Sequence, residues 1–293
     1  MRVAREPGEL ERLPRAVAIG TFDGVHLGHR VVIETATAAA GLTPTVVTFD
    51  PHPRVVLGRG VALLTTLQRR LELFEEAGVE EVLVVEFTPA LAQLEPDAFV
   101  QQYLLAIGAE AVAAGPDFRF GHKRRGDLEL LERLGLDVLR VPHLDGVSSS
   151  AIREHVAAGR VEEAARLLGR PAEVDGTVVP GAARGARLGF RTANIDLEPA
   201  LLVPRNGIYA GAALGHRAAI SIGVNPHYGG SERTIEPHLL DFDGDLYGSR
   251  LVVELWAFLR DEAAFASEEE LAAQIARDVE ATRRAKRPET ALA

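Results

Sequence analysis

The sequence predicts a fold of two parts: an α/β domain with a mainly parallel sheet, then a small antiparallel β domain, a compact barrel or sandwich, with a terminal helix. Residues 16–141 alternate short apolar runs with helical patterns, as βαβ units do. Residues 176–258 instead contain short runs rich in β-branched residues, separated by glycine and Asp-Gly turns. The pattern changes near Pro171, so we predict domains 1–171 and 172–293.

The elements of the α/β domain follow from this alternation. The expected strands are Ala16–Ile19, Thr45–Phe49, Val82–Val85, Ala111–Ala114 and Val138–Val141. The expected helices are Val31–Ala40, Leu67–Ala77, Asp97–Leu105 and Leu128–Leu134. In parallel sheets of this kind ligands bind beyond the carboxyl ends of the strands, so the loops there are the candidate site.

The remaining elements belong to the domain junction and the β domain. Two helices are expected first, one that ends at Ala158 and a second over Val161–Leu168. The expected strands that follow are Thr177–Val179, Ile208–Leu214, Ala218–Ile222, Thr234–Leu240 and Leu251–Phe258. A capping box of Ser267 and Glu270 begins the last helix, whose expected buried stripe is Leu271, Ile275 and Val279. We interpret Asp241–Asp245 as a hairpin turn, because its glycine is misplaced for a calcium loop.

Composition excludes several classes of protein. The chain has no cysteine, which excludes disulfides, thiolate zinc sites and cysteine nucleophiles. Its net charge of −10 argues against a broad nucleic-acid surface. Neither of its two lysines, Lys123 and Lys286, follows a P-loop pattern. With no apolar leader and no long apolar segment, we expect a cytoplasmic location.

The loop after the first strand is the strongest candidate site. It contains Gly20, Phe22, Asp23, Gly24 and Gly28, and places His26 and His29 where a helix begins. A helix N-terminus offers N–H groups and a positive dipole end to an anion, and residues three apart share a helix face. The sequence therefore predicts a triphosphate site. A tight turn with surface histidines is one alternative, and a zinc site completed by Asp23, Asp50 or His52 is another.

Two more polar loops are expected at the same edge of the sheet, namely 50–54 and 115–121. After the fifth strand, Ser148-Ser149-Ser150 precedes a helix whose first turn contains Arg153. One serine suits a helix N-cap. Three serines followed by an arginine suit a loop that closes over phosphates.

Taken together, these motifs resemble the bacterial bifunctional riboflavin kinase/FAD synthetase family, from Ile19 to about Arg284. Residues 20–29 resemble that family's HxGH nucleotidyltransferase signature, and 48–53, 115–121 and 148–153 resemble its later motifs. Residues 181–190 resemble the glycine-rich loop of riboflavin kinases, followed by Thr192-Ala193-Asn194 and by 206–209, 222–226, 235–240 and 246–248. Two departures are Arg191, at a usual proline position, and His227, at a usual threonine position.

The resemblance implies a Rossmann-like nucleotidyltransferase domain that transfers AMP from ATP to FMN. His26, His29 and Arg153 are then the catalytic residues, with Ser149 also holding phosphates. The implied nucleotide-binding residues are Gly20, Phe22, Asp23, Gly28, Asp117 and Ser149. The implied flavin-binding residues are His52, Pro53 and Arg119.

For the second domain the resemblance implies a riboflavin kinase barrel. Glu236 is the expected catalytic base, Thr192 the Mg²⁺ ligand, and Gly181, Gly185 and Asn194 the nucleotide-binding residues. The implied partners are riboflavin, FMN, FAD, ATP and Mg²⁺, with no nucleic acid or membrane and a monomer or weak homo-oligomer. Two alternatives stay open: a nucleotidyltransferase for another phosphorylated acceptor, and a flavin-binding protein whose kinase half has decayed.

Overall fold

The chain forms two compact units. The computed structural model describes residues 1–181, 190–224 and 233–289. The first unit comprises Met1–Val61 and Leu67–Val147, and the second comprises Ala62–Thr66 and Ser148–Ala293. This division falls earlier in the chain than Pro171, so the functional boundary expected there stays a prediction.

A parallel six-stranded sheet forms the first unit, in the order β1-β4-β3-β2-β5-β6. Its strands are β1 (Arg2–Ala4), β2 (Arg15–Ile19), β3 (Thr43–Asp50), β4 (Glu81–Glu86), β5 (Ala109–Ala114) and β6 (Asp137–Arg140). Its helices are α1 (Leu27–Thr37), α2 (Pro53–Val56), α3 (Leu67–Glu76), α4 (Pro96–Phe99), which continues as π-helix over Val100–Leu105, and α5 (Leu128–Arg133). Single 3₁₀ turns lie at Pro7–Glu9, Leu91–Gln93 and His122–Arg124.

All five predicted strands of this unit are confirmed. Four of them, β2 to β5, are apolar runs buried on both faces of a covered sheet, whereas β6 at the sheet edge has no buried residue. In β2, Val17 and Ile19 face one hydrophobic core while Ala16 and Ala18 face the other. The pattern missed β1, which is three residues long and exposed at two of them. A strand this short at a sheet edge leaves no periodicity to detect.

The strand order places one reversal of direction in the sheet. From β2 the chain proceeds outward through β3 and β4, and then β5 pairs with β2 on its other side. The carboxyl ends of β2 and β5 therefore flank the topological switch point, where ligands of open α/β sheets bind.

The second unit contains a closed barrel in the order β10-β11-β8-β7-β12-β9, which confirms the antiparallel β domain. Its strands are β7 (Ala172–Val179), β8 (Asn194–Leu197), β9 (Gly207–Ala213), β10 (His216–Val224), β11 (Arg233–Leu239) and β12 (Arg250–Arg260). Its helices are α6 (Ser149–Ala157), α7 (Val161–Leu168) and α8 (Glu268–Arg284). The short strand β8 was not predicted, because only two of its four residues are apolar.

The expected hairpin turn at Asp241–Asp245 is wrong. Strand β11 pairs with β10 and β8, whereas β12 pairs with β7 and β9, so the two strands that the segment connects are not neighbours in the barrel. An Asp-Gly pair between apolar runs does not distinguish a two-residue turn from a longer crossing loop.

The terminal helix begins as predicted but buries different residues. The Ser267 side chain accepts the Glu270 N–H, as the capping box requires. Leu271, Ile275 and Val279 are only half-buried, and the buried residues of the helix are Asp278 and Thr282. Asp278 is buried because Arg260 of β12 pairs with it, at 2.9 Å from Nε to Oδ1 and 2.7 Å from Nη2 to Oδ2.

No helix among residues 1–181, 190–224 and 233–289 combines the length and the hydropathy that a membrane span needs.

We expect Asp278→Ala to destabilise the second unit, because it leaves the largely buried Arg260 guanidinium without its carboxylate. Breaking such a pair lowers the free energy of unfolding by about 3–5 kcal/mol. The matched control is Glu280→Ala on the same helix, whose exposed pairs with Arg283 and Arg284 are worth less than about 1 kcal/mol. Urea unfolding followed by the fluorescence of Trp256, the single tryptophan, measures both variants. Equal losses would contradict the importance of this pair.

Candidate active sites

The turn after β2 has an unusual backbone. Phe22 and Val25 have positive φ angles of 50° and 38°, on either side of Gly24 at 87°. The Val25 N–H closes the turn on the Phe22 carbonyl at 3.0 Å. Such angles are strained for aromatic and β-branched residues, and strain of this kind is concentrated at functional sites.

The turn brings His26 and His29 together. Their rings stack with centroids 3.5 Å apart and planes 18° apart. His26 is the N-cap of α1, and its Nδ1 accepts the His29 N–H at 3.3 Å. Because Nδ1 of His26 is the acceptor in the cap, Nε2 is the ring nitrogen that carries a proton in the neutral form. The paired histidines at a helix N-terminus, expected from the sequence, are present at the switch point.

Small and aromatic neighbours support the two rings. A Cβ on Gly28 would lie 3.2 Å from Cε1 of His26, so a larger residue would crowd this ring. The buried Phe22 ring meets His29 edge to face at 5.3 Å, and a Cβ on Gly20 would lie 3.1 Å from the same Phe22 ring. Asp23 is buried as well. The Phe22 ring therefore packs against the His29 ring. The nucleotide contact expected of Phe22 stays a prediction.

Sequence reasoning missed Arg70, on α3. This arginine is 2% exposed and donates from Nη1 to the Thr21 carbonyl at 2.6 Å. Its Nη2 lies 3.6 Å from Oδ1 of Asp50, at the end of β3. The Thr48 hydroxyl donates to the same Thr21 carbonyl at 3.3 Å. Arg70 therefore fixes the turn after β2 to the end of β3. Its spacing from Leu67 and Phe74 placed it on the apolar face of α3, which was the available signal.

The predicted flavin-binding residues, and the predicted nucleotide-binding residue Asp117, occupy different surroundings. His52 is buried and caps α2, where its Nδ1 accepts the Arg54 N–H at 3.1 Å, and Pro53 is the first residue of that helix. Asp117 and Arg119, in the loop after β5, have exposed side chains. The structure brings each of them to the carboxyl edge of the sheet.

An aromatic cluster at this edge was also missed. The Phe99 ring lies 5.1 Å from Tyr103, 5.9 Å from Phe120 and 6.2 Å from Phe49, between ring centroids. Phe120 stacks on Phe118 at 5.4 Å and 22°. Burial raises the pKa of Tyr103, so its phenol is neutral at physiological pH. The residues come from three separate segments, namely β3, the helix 96–105 and the loop after β5, which is why no local pattern revealed them.

Ser149 and Arg153 lie in the second unit. Ser148 is the N-cap of α6, and its hydroxyl accepts the Ala151 N–H at 3.2 Å, so Ser149 is the first residue of the helix. Arg153 donates from Nε to the Ala62 carbonyl at 2.7 Å. The serine N-cap is confirmed, and the roles of Ser149 and Arg153 in binding phosphates stay predictions.

In the barrel, three predicted residues meet. Ile195 of β8 pairs with Ile235 of β11, and this antiparallel register sets Asn194 opposite Glu236. Because both isoleucines face the core, Asn194 and Glu236 point to the other face, where both are half-buried. A Cβ on Gly181 would lie 1.9 Å from Nδ2 of Asn194. Gly181 therefore lies directly against the amide of Asn194.

Thr192 lines a cavity of about 290 Å³ next to this group. Arg191, Asp243, Asp245 and Tyr247 contribute its polar wall. Its apolar wall is formed by Val178, Ala193, Pro237, Leu239, Phe242 and Leu246. The segment 241–245, expected to be a hairpin turn, is thus part of the wall of this cavity.

Strand β11 also holds the segment before β8. The Ala193 N–H donates to the Pro237 carbonyl at 2.9 Å, and Nδ1 of His238 lies 2.7 Å from the Arg191 carbonyl. These bonds fix the backbone at Arg191, where the resembling family has proline. Gly185 and His227 lie outside the described residues, so nucleotide binding by Gly185 stays a prediction.

Among the described residues, no three His, Asp or Glu side chains form a group that could hold a metal ion. This gives no support to the zinc alternative for His26 and His29.

The fold and the two sites define a class of protein. An α/β unit with histidines at a helix N-terminus, followed by a barrel with its own polar cavity, is the arrangement expected of a two-domain transferase that uses nucleotides at separate sites. Two family models match the chain: FAD synthetase over residues 10–152, and riboflavin kinase over residues 168–286.

Relatives cover almost the whole chain. The bifunctional riboflavin kinase/FMN adenylyltransferase of Listeria monocytogenes is 38% identical over 289 residues, which are 92% of this chain and 91% of the relative. The protein of that name from Bacillus subtilis is 35% identical over 288 residues, with the same coverage. A crystal structure described as a macrolide-efflux protein from Streptococcus pneumoniae has a TM-score of 0.86 and 30% identity, covering 97% of this chain and 99% of that one. This chain belongs to the bifunctional riboflavin kinase/FMN adenylyltransferase family.

We expect Gly181→Ala to impair the barrel site, because the added methyl group would overlap the Asn194 amide and displace it from Glu236. Misplacement of about 1 Å at a reacting centre costs about 100-fold in rate, so riboflavin phosphorylation should fall by at least 10-fold. FMN adenylylation by the same molecule is the internal reference. The control is Gly8→Ala, where a Cβ has no atom within 4 Å. Unchanged phosphorylation in Gly181→Ala would contradict the assignment.

Proposed function

We propose that this chain phosphorylates riboflavin to FMN at the barrel site and then adenylylates FMN to FAD, releasing pyrophosphate, at the α/β site. The observation that supports the second reaction is the stacked pair His26 and His29 at the N-terminus of α1, beside the switch point. The expected cytoplasmic location and weak or absent self-association stay predictions.

Adenylyl transfer needs little proton chemistry from the protein. The attacking FMN phosphate is already an anion, so the site must align it with the α-phosphate of ATP and stabilise the charge that develops there. The N–H groups of α1, Nε2 of His26 and the imidazole of His29 supply donors in a confined region. Donors that are held in position before the reaction stabilise the transition state without having to reorganise. The hydrogen bond from Arg70 to the Thr21 carbonyl holds the turn that carries these donors.

The flavin ring needs an apolar surface near these donors. Phe49 and Phe118, the half-buried members of the aromatic cluster at the carboxyl edge of the sheet, rest on the buried Phe99 and Phe120 and suit a planar aromatic ligand. His52, Pro53 and Arg119 remain the flavin-binding residues that we propose from the resemblance.

Phosphorylation of riboflavin does need a base, because a hydroxyl group attacks. Glu236 is our candidate: it lies opposite Asn194 in the register of β8 and β11, half-buried on the face of the strands away from the core. A carboxylate there can accept the proton of the 5′-hydroxyl as the new bond forms. The Asn194 amide, packed against Gly181, can orient a phosphate group next to it.

The cavity beside Thr192 suits a nucleotide with Mg²⁺. Its oxygen donors include the Thr192 hydroxyl and the carboxylates of Asp243 and Asp245, which are ligands that Mg²⁺ accepts. Mg²⁺ generally uses one or two protein ligands together with substrate phosphates, so a group of three carboxylates is not required. When bound, the ion neutralises phosphate charge. Leu239, Phe242 and Leu246 provide an apolar wall for a nucleobase.

We expect His29→Ala to reduce FAD formation from FMN by about 10²–10³-fold, because one fixed donor to the transition state is lost. FMN formation from riboflavin should continue at the normal rate. The measurement is chromatographic separation of flavins after incubation with ATP, Mg²⁺ and either riboflavin or FMN. Equal loss of both activities would contradict the division of the reactions between the two sites. Absence of all flavin products from the unaltered chain would refute the proposed function.

We expect Glu236→Gln to leave riboflavin binding intact and to remove turnover to FMN, because glutamine has nearly the same shape but cannot accept the hydroxyl proton. Fluorescence titration measures binding, and the same chromatographic assay measures turnover. Asp196→Asn, an exposed carboxylate on β8, is the matched control and should keep kcat within about twofold of the unaltered chain. A Glu236→Gln variant with normal turnover would end the assignment.

A further inference from the structure

A basic turn follows β5 and has no role in the proposed mechanism so far. It contains four basic residues in succession, His122-Lys123-Arg124-Arg125, in a chain whose net charge is −10. Strand β5 borders the switch point, and this turn belongs to the loop that leaves its carboxyl end. The turn therefore lies on the side of the sheet where ligands of such folds bind.

Backbone hydrogen bonds and one tight glycine contact fix both ends of the turn. Phe120 and Gly126 exchange two backbone hydrogen bonds, of 3.1 and 2.9 Å. The His122 N–H donates to the Leu94 carbonyl at 2.8 Å. A Cβ on Gly121 would lie 2.7 Å from Cα of Pro96, so only glycine permits this approach. These contacts define the path of the backbone on both sides of the tip.

The tip of the turn is strained. Lys123 and Arg124 have φ angles of 52° and 59°, in the left-handed region that favours glycine. Two successive side chains with this backbone conformation are costly to keep. Glycine at either position would remove the strain, yet both positions hold a cation.

The four basic side chains differ in what they contact. Arg125 forms an ion pair with Glu95, and Nδ1 of His122 lies 3.4 Å from the Ala92 carbonyl. The side chains of Lys123 and Arg124 are exposed and form no hydrogen bond or ion pair with any described residue. The turn thus presents two uncompensated cations next to each other on a constrained backbone.

We propose that Lys123 and Arg124 form a binding site for a substrate phosphate group in adenylyl transfer. The ligand class is a phosphate monoester or a pyrophosphate, that is, the phosphate of FMN or the leaving group of ATP. At pH 7 a phosphate monoester carries about 1.5 to 2 negative charges and pyrophosphate carries more, and the overall charge of this chain would repel both without a local cationic site. The need for these charges explains why strain persists where glycine would be relaxed. The inference rests on the proposed adenylyl transfer at this edge of the sheet.

The test compares Lys123→Gly and Arg124→Gly with the unaltered chain. Each substitution removes a charge and also relieves strain, so we expect the melting temperature to stay the same or to rise while adenylylation weakens. Loss of one charged hydrogen bond predicts an increase in KM of about 10-fold. An increase in KM for FMN identifies the FMN phosphate as the ligand. Weaker product inhibition by pyrophosphate, with an unchanged KM for FMN, identifies the leaving group of ATP.

Two controls separate charge from strain. Leu214→Gly relieves a φ of 52° at an exposed apolar residue in the turn between β9 and β10, and it should leave adenylylation unchanged. Lys123→Gln removes the charge and keeps a side chain at the strained position, and it should weaken adenylylation as Lys123→Gly does. Riboflavin phosphorylation by each variant reports that the second unit is folded, and the melting curve reports that the first unit is folded.

The outcomes distinguish a failure of this inference from a failure of the proposed function. The inference is wrong, with the proposed function unaffected, if Lys123→Gly and Arg124→Gly both keep the KM for FMN and the inhibition by pyrophosphate within twofold of the unaltered chain. An unaltered chain that forms no FAD, or a His29→Ala variant that still forms it normally, would overturn the proposed function instead.

Discussion

The position of the turn between β2 and α1 is the constraint on which the α/β site depends. Its backbone must reverse direction within a few residues, with Phe22 and Val25 at positive φ angles. Arg70 and Thr48 hold the Thr21 carbonyl from two other elements, so the strained conformation is over-determined by its surroundings. Because α1 begins where this turn ends, the same contacts decide where the rings of His26 and His29 lie.

The barrel site depends on a different constraint, the register between two strands. One pairing, Ile195 with Ile235, turns both isoleucines toward the core and sets Asn194 and Glu236 opposite each other on the other face. A shift of one residue would bury the carboxylate and expose the isoleucine. The tight contact between Gly181 and Asn194 and the bond from Ala193 to Pro237 both agree with this register. The geometry of the candidate site and the packing of the core therefore depend on the same pairing.

The two units thus position the polar groups of their candidate sites by different structural means. In the α/β unit, polar groups collect where parallel strands end, because backbone N–H groups and a helix dipole are concentrated there. In the barrel, the polar groups come from strand faces and from the loop 241–245 that crosses between non-adjacent strands. The second arrangement is harder to read from sequence, because a crossing loop and a hairpin can share the same Asp-Gly signal.

The sequence by itself determined the element types, the two fold classes and the motif residues, since apolar periodicity and short-range spacing are local properties. It placed His26 and His29 at a helix start and the N-cap at Ser267, both of which depend on neighbours within three residues. Only the tertiary structure decided the roles of Arg70, β8, the aromatic cluster and Asp278. Each is defined by partners distant in the chain, such as the Thr21 carbonyl for Arg70, 49 residues away. A buried polar residue is stable only with a partner, and the sequence does not state which partner folding will bring to it.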